Sequence, residues 1–254
     1  MNGDHSISTC VPREPEDIHG DGRWLAQHAN HMKRVTRSDP EIVFVGDTIL
    51  YHLGLNSVWN KVFAPMHAVN FSIPGDGTQN LLWRIQNWGS TSATGEAMGT
   101  GDEMKPKVFV VHVGTEMYTY NVEEIVSGIV SVMRALSEKY PRSKLLFMGL
   151  LPRGPKPNRL RVKNDEINKQ LSVLLTEIPN SVFMDVDDLD FIQSDGQIDE
   201  GDMSDFLHPT TRCYETICLK LLEVFKTTLT ETNLLFPNEL TDAFKALVSS
   251  DDEK

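Results

Sequence analysis

Four short blocks carry residue types that can do chemistry, and each falls at the end of an apolar run or just before a helix. They are Gly46-Asp47-Thr48, Pro74-Gly75-Asp76-Gly77, Gly114-Thr115-Glu116 and Asp205-Phe206-Leu207-His208. Together they offer a hydroxyl, an imidazole, several carboxylates and glycine turns, which are the parts of a hydrolase site. Taken singly, each has a plainer reading. Thr48 can cap the helix that follows it, a position where Thr is favoured. Gly75 and Gly77 can supply positive φ in a tight turn. Glu116 can be an exposed loop acid, and Asp205 with His208 can be a hydrogen-bonded loop pair. Asp47, Glu116, Asp205 and His208 can also surround a divalent cation, since carboxylates and an imidazole suit one. No metal and no cofactor are expected, because the blocks are arranged as a nucleophile site rather than a coordination shell.

The elements that must position these blocks are legible as apolar runs. Ile42 to Asp47, His67 to Phe71, Val108 to Val113, Leu145 to Leu150 and Val182 to Asp185 are short and nearly continuous, as strands buried on both faces are. Between them lie stretches of helical period. Ile125, Ile129, Val132, Met133 and Leu136 form one stripe within Val122 to Tyr140. Leu160, Ile167, Leu171, Leu174 and Leu175 form another within Asn158 to Glu177, with Arg161, Lys163, Asp165, Glu166 and Lys169 expected in solvent. Five strands alternating with helices predict an α/β fold, a three-layer α/β/α sandwich around a five-stranded parallel sheet. Ligands then belong at the carboxyl ends of the strands, where the four blocks fall.

Around that body, residues 1–22 are polar and aperiodic and are expected to be a flexible N-terminal arm, followed by one domain over 23–230. Gly89 to Asp102 reads as a small-residue inserted loop. The tail, 231–254, has apolar spacing that fits a terminal amphipathic helix. A chain of 254 residues with 40% hydrophobic residues can build a core, so disorder as the main state is excluded. No run approaches the length of a spanning helix, so stable membrane insertion is not expected. The formal charge of −12 opposes a phosphate backbone, so nucleic acid is not an expected partner. Three cysteines, Cys10, Cys213 and Cys218, make no disulfide framework, and the N-terminus has no apolar signal core; a cytoplasmic location is the expectation. His112, inside an apolar strand, reads as a buried, hydrogen-bonded histidine.

In order and spacing the four blocks resemble those of the SGNH hydrolase superfamily, which is flavodoxin-like in architecture. Flanking text narrows the likeness: Gly20-Asp21-Gly22-Arg23-Trp24, Phe63-Ala64-Pro65-Met66-His67-Ala68-Val69-Asn70-Phe71, Gly75-Asp76-Gly77-Thr78-Gln79, Leu81-Leu82-Trp83-Arg84 and Gly149-Leu150-Leu151-Pro152-Arg153-Gly154. These resemble the catalytic (alpha) subunits of intracellular platelet-activating factor acetylhydrolase IB, from about Gly20 to Phe225. The resemblance implies a carboxylic ester hydrolase of lipid metabolism, active on 1-alkyl-2-acetylglycerophosphocholine. It also implies homodimers, or heterodimers with a sister subunit, and a lissencephaly-type WD40 regulatory partner. Residue by residue, it puts Thr48 at the nucleophile, Asp205 and His208 at the orienting acid and the base, and Gly75 and Glu116 at the oxyanion hole.

Two of those five positions depart from the family pattern, which has Ser at 48 and Asn at 116. Threonine keeps a hydroxyl, but its methyl restricts χ1 and crowds a pocket shaped for serine. Glu116 removes an oxyanion donor, a loss typically worth about 10² to 10³ in rate, and adds an acceptor whose charge repels a developing oxyanion. The expectation is a degenerate site with impaired or lost hydrolysis, a pseudoenzyme acting through dimerisation and the WD40 partner. The alternative is an active acetylhydrolase that uses Thr48 to remove the sn-2 acetyl group of a platelet-activating-factor-like phospholipid.

Overall fold

The computed structural model describes residues 5–88 and 104–228. The inserted loop and the tail that the sequence sets apart lie outside those residues. The described elements run α1 (Arg23–Ser38), β1 (Ile42–Gly46), α2 (Thr48–Leu55), α3 (Ser57–Val62), β2 (Ala68–Asn70), α4 (Thr78–Gln86), β3 (Val108–His112), α5 (Val122–Lys139), β4 (Lys144–Met148), α6 (Arg159–Leu174), β5 (Ser181–Met184) and α7 (Thr211–Thr228).

The five strands form one sheet in the order β2-β1-β3-β4-β5, and every neighbouring pair is parallel. Strands β1 and β3 are buried along their whole length, which is why they read as unbroken apolar runs rather than alternating ones. Helices cover both faces. One core layer packs Phe44, Leu50, Phe63, Val110, Ile217 and Phe225 beneath α2, α3 and α7; the other packs Val45, Leu81, Phe109, Ile129, Leu136 and Leu171 beneath α4, α5 and α6.

The chain leaves β1 toward β2 on one side and returns to β3 on the other, so the strand order reverses between β1 and β3. In open α/β sheets such a reversal opens a crevice at the strands' carboxyl ends. Thr48 follows β1 and Glu116 follows β3, so they flank that crevice.

Some details differ from the sequence reading. Arg161 is buried, not solvated: its guanidinium donates to the carbonyls of Arg153 (3.0 Å), Gly196 (2.6 Å) and Gly154. The lysine at 163 likewise donates to the carbonyls of Tyr118 (3.1 Å) and Tyr120. Both serve orphan carbonyls of loops, a need that helical periodicity does not reveal. Within the segment expected as an arm, Thr9 is wholly buried. Its hydroxyl donates to Glu124 O (2.8 Å), its carbonyl accepts from Thr78 Oγ1 (2.8 Å), and Arg13 pairs its backbone with Gln79 O (3.0 Å).

Candidate active site

The turn from β1 into α2 is dictated by packing. A Cβ on Gly46 would lie 1.8 Å from the carbonyl oxygen of His112 on the neighbouring strand, so only glycine fits. The N-cap of α2 is Asp47, not Thr48. Its Oδ1 accepts from Ile49 N (3.1 Å), while Oδ2 accepts from Gly114 N (3.1 Å) and Thr115 N (2.9 Å). One buried carboxylate therefore caps α2 and clips the end of β1 to the end of β3. Thr48, released from capping, is the first residue of the helix and is 8% exposed. His112 is buried as its apolar strand implies, with Nδ1 against Met148 O (3.0 Å) and Nε2 against Thr115 Oγ1 (3.2 Å).

Gly75 sits after β2 at φ +83°, a conformation that favours glycine, with open space where a side chain would project. Its N–H donates to Thr48 Oγ1 at 3.3 Å. Gly77 does not share the positive φ expected for it; its φ is −93° and its N–H donates to Asn80 Oδ1 (2.9 Å) at the start of α4. The residue between them anchors the turn from behind. Asp76 accepts from Trp24 Nε1 (2.6 Å) and from Arg84 Nη1 (2.7 Å), and Arg84 reaches on to Phe71 O and, at 3.3 Å, to His31 Nδ1. Arg84 and Asp76 are 0% and 1% exposed. Burial, outweighing these partners, lifts the Asp76 carboxyl to about 6. Burial, helped by the Arg84 charge, drops the imidazoles of His28 and His31 to about 3 and about 2. A cavity of about 350 Å³ opens beside Gly75, walled by Pro74, Trp24, Ile18 and Glu16.

Glu116 points at the site. Its Oε1 accepts the Thr48 hydroxyl at 3.1 Å, so the proton of Thr48 is directed to a carboxylate. Arg153, on the loop after β4, donates to Thr115 O (2.8 Å) and steadies the segment that carries Glu116. The same loop holds the fourth block: Gly154 N donates to Phe206 O (2.7 Å), and Phe206 adopts φ +59°, a left-handed conformation unusual for a bulky residue. That kink lets Asp205 fold back on its own loop. Asp205 Oδ1 accepts from Leu207 N (3.1 Å) and His208 N (2.8 Å), and Oδ2 meets His208 Nδ1 at 2.6 Å. Burial works against the Asp205 charge, but these bonds together hold its carboxyl below the usual range. With Nδ1 committed to Asp205, Nε2 of His208 is buried and has no hydrogen-bond partner among the described residues.

The structure thus brings Thr48, Gly75 and Glu116 into direct contact, and Asp205 into contact with His208. It records no bond that joins the two groups. Among the described residues no cluster of three or more His, Cys, Asp or Glu is placed to hold a metal ion. One residue of the site escaped sequence reasoning. His52 lies one turn after Thr48 on α2, and its ring stacks on that of His208, with centroids 5.0 Å apart and planes at 16°. The i, i+4 step from Thr48 was the available signal, since such residues share a helix face.

No protein-family model matches the chain. Individual relatives do. Platelet-activating factor acetylhydrolase IB subunit alpha2 of Gallus gallus is 40% identical over 232 residues, covering 91% of this chain and 96% of that protein. The chain belongs to the platelet-activating factor acetylhydrolase IB alpha-subunit family. Within it, the human alpha2 subunit is 38% identical over 232 residues, with the same shares of both chains, and the human alpha1 subunit is 36% identical over 221 residues, 87% of this chain and 90% of that one. Solved structures agree on the fold. A GDSL-like lipase from Bacteroides thetaiotaomicron matches with a TM-score of 0.57 at 17% identity, over 82% of this chain and 97% of its own. A member of the lipolytic G-D-S-L family from Veillonella parvula matches with 0.53 at 18% identity, over 73% and 97%. This chain therefore shares the α/β architecture of these GDSL-type proteins. No helix among the described residues is long and apolar enough to cross a membrane.

Proposed function

We propose that this family member is catalytically impaired and acts as a subunit, through dimerisation with itself or a sister alpha subunit and through binding a lissencephaly-type WD40 regulator. The observation that carries the reading is the fate of one proton. The Thr48 hydroxyl donates to Glu116, not to the imidazole of His208. A nucleophile needs its base within hydrogen-bond reach, and an oxyanion needs donors; here a carboxylate occupies the donor position. The −12 charge suits docking on a basic protein face.

The second reading keeps the chain an acetylhydrolase, with Thr48 as nucleophile, His208 as base and the acetyl group of a platelet-activating-factor-like phospholipid as substrate. Two features favour it: the Gly75 N–H already aims at Thr48 Oγ1, and Asp205 already orients His208. The deciding experiment is short-chain ester hydrolysis by the native chain, by Thr48→Ser, by Glu116→Asn and by the double change. Impairment predicts no turnover above background in the native chain and a gain in the double change. Native turnover that disappears in His208→Ala would establish the second reading instead. Co-purification with a WD40 regulator tests the subunit role, and no association at micromolar concentration would remove it.

A further inference from the structure

The ring of His208 is held at two places, and only one of them belongs to the pattern that the family resemblance supplies. Its edge is fixed by Asp205. Its face is covered by His52, whose ring lies nearly parallel to it. The contact is built into the fold. Thr48 and His52 are one turn apart on α2, so the helix that presents the hydroxyl also presents the covering ring. A few residues on, Asn56 Nδ2 at the end of α2 donates to Thr211 Oγ1 (3.1 Å) at the start of α7, which ties the far end of the His208 segment to the same helix.

We infer that His52 is a positioning residue for His208: its ring, stacked on the imidazole, holds that imidazole flat against α2 with its edge turned to Asp205. This rests on reading Asp205 and His208 as the orienting acid and base of the site.

The surroundings of His52 disfavour a charge on its own ring. The groups that act on it are His208 and Asp205, both on the segment before α7, while Tyr51 on its own helix packs its ring alongside at 5.7 Å. Two protonated imidazoles about 5 Å apart repel. Burial and the His208 charge accordingly lower the proton affinity of His52, against a smaller opposing pull from Asp205.

The test uses the full chain and needs no turnover. In ¹⁵N-labelled protein, the Nδ1–H resonance of His208, bonded to Asp205, is followed for exchange with water. His52→Ala is expected to speed that exchange at least tenfold, and His52→Phe, which restores a flat ring without charge, to bring it back to the native rate. In a pH titration of the ring signals, His208→Gln is expected to move the midpoint of His52 upward by about half a unit or more, the shift that a unit charge at this separation produces in a watery medium. Unchanged exchange in His52→Ala, or an unmoved His52 midpoint in His208→Gln, overturns the assignment. Because neither readout is hydrolysis, their failure leaves the impaired-catalysis reading intact. Native ester cleavage, conversely, would sink that reading and leave this one standing.

Discussion

The two sides of the Gly75 turn are built differently. Behind it, Asp76 has both carboxylate oxygens engaged, one by Trp24 and one by Arg84, in a setting closed to solvent. In front of it, Gly75 N–H is given to Thr48, Thr48 is given to Glu116, and Nε2 of His208 has no partner among the described residues. The frame that would hold an oxyanion turn is complete, whereas the groups that would use it do not close into a proton path. If catalysis is impaired as proposed, support and chemistry have separated, since the fold demands the first whether or not the second is kept.

That contrast can be broken in four ways, from the largest expected effect downward. Arg84→Met leaves the Asp76 carboxylate buried without its cation, a change that costs about 3–5 kcal/mol when a buried pair is halved. Urea unfolding measures it, and a loss below about 1 kcal/mol would show that the frame does not depend on the pair. Next, Glu116→Asn in a Thr48→Ser background returns a donor to the front side and should raise ester hydrolysis by about 10² to 10³ over Thr48→Ser alone. Equal rates in the two proteins would mean that Glu116 is not what blocks the chemistry.

The third test uses acidity. Below the ordinary histidine value of 6.5 the unfolded chain takes protons on His28 and His31, which the folded chain refuses until about 3 and about 2. Asp76 works the other way, since between about 6 and 3.8 it is protonated in the folded chain and ionised in the unfolded one. Two protons against one leave the unfolded chain one proton ahead over that window, so these groups should lower stability as pH falls, by about 1.4 kcal/mol per pH unit. Thermal melts between pH 6 and 4 check the slope, and His28→Phe should flatten it. The smallest effect is at the staple: Thr9→Val removes the hydroxyl bonded to Glu124 O and should cost about 1 kcal/mol, read as a lowered urea midpoint.

What the sequence made legible follows from which forces have a period. The inner strands β1, β3 and β4 are visible because burial on both faces leaves an apolar run, the edge strands β2 and β5 are half-buried, and the observed ends of all five fall close to the expected ones. The stripe of α5 is visible through its three- and four-residue period, and the structure adds at its start the capping bonds of 2.9 and 2.8 Å that Asn121 and Glu124 exchange. The contacts of Arg161, Thr9 and His52 were not visible, because each depends on where a distant loop lands. Thr48 as a cap was a local rule applied one residue late, since Asp47 is the better cap and also has strand ends to clip. The pairing of Asp76 with Arg84 was hidden among residues read only for their resemblance. Its signal was a carboxylate and a guanidinium two helical turns apart at the entry of α4.

The bonds of Thr9 also bear on how the molecule is made. Its hydroxyl partner lies 115 residues later in the chain, at the start of α5, while its carbonyl receives Thr78, three residues beyond Gly75. The staple is synthesised before either partner, so the clasp on the turn at Gly75 is completed only when the ribosome has released α5. A long-range contact of this kind is slow to form and comes late in folding. Nascent chains halted before Val122 should therefore expose the α4 entry to proteases, and the crevice between β1 and β3 should be among the last parts of the molecule to become protected.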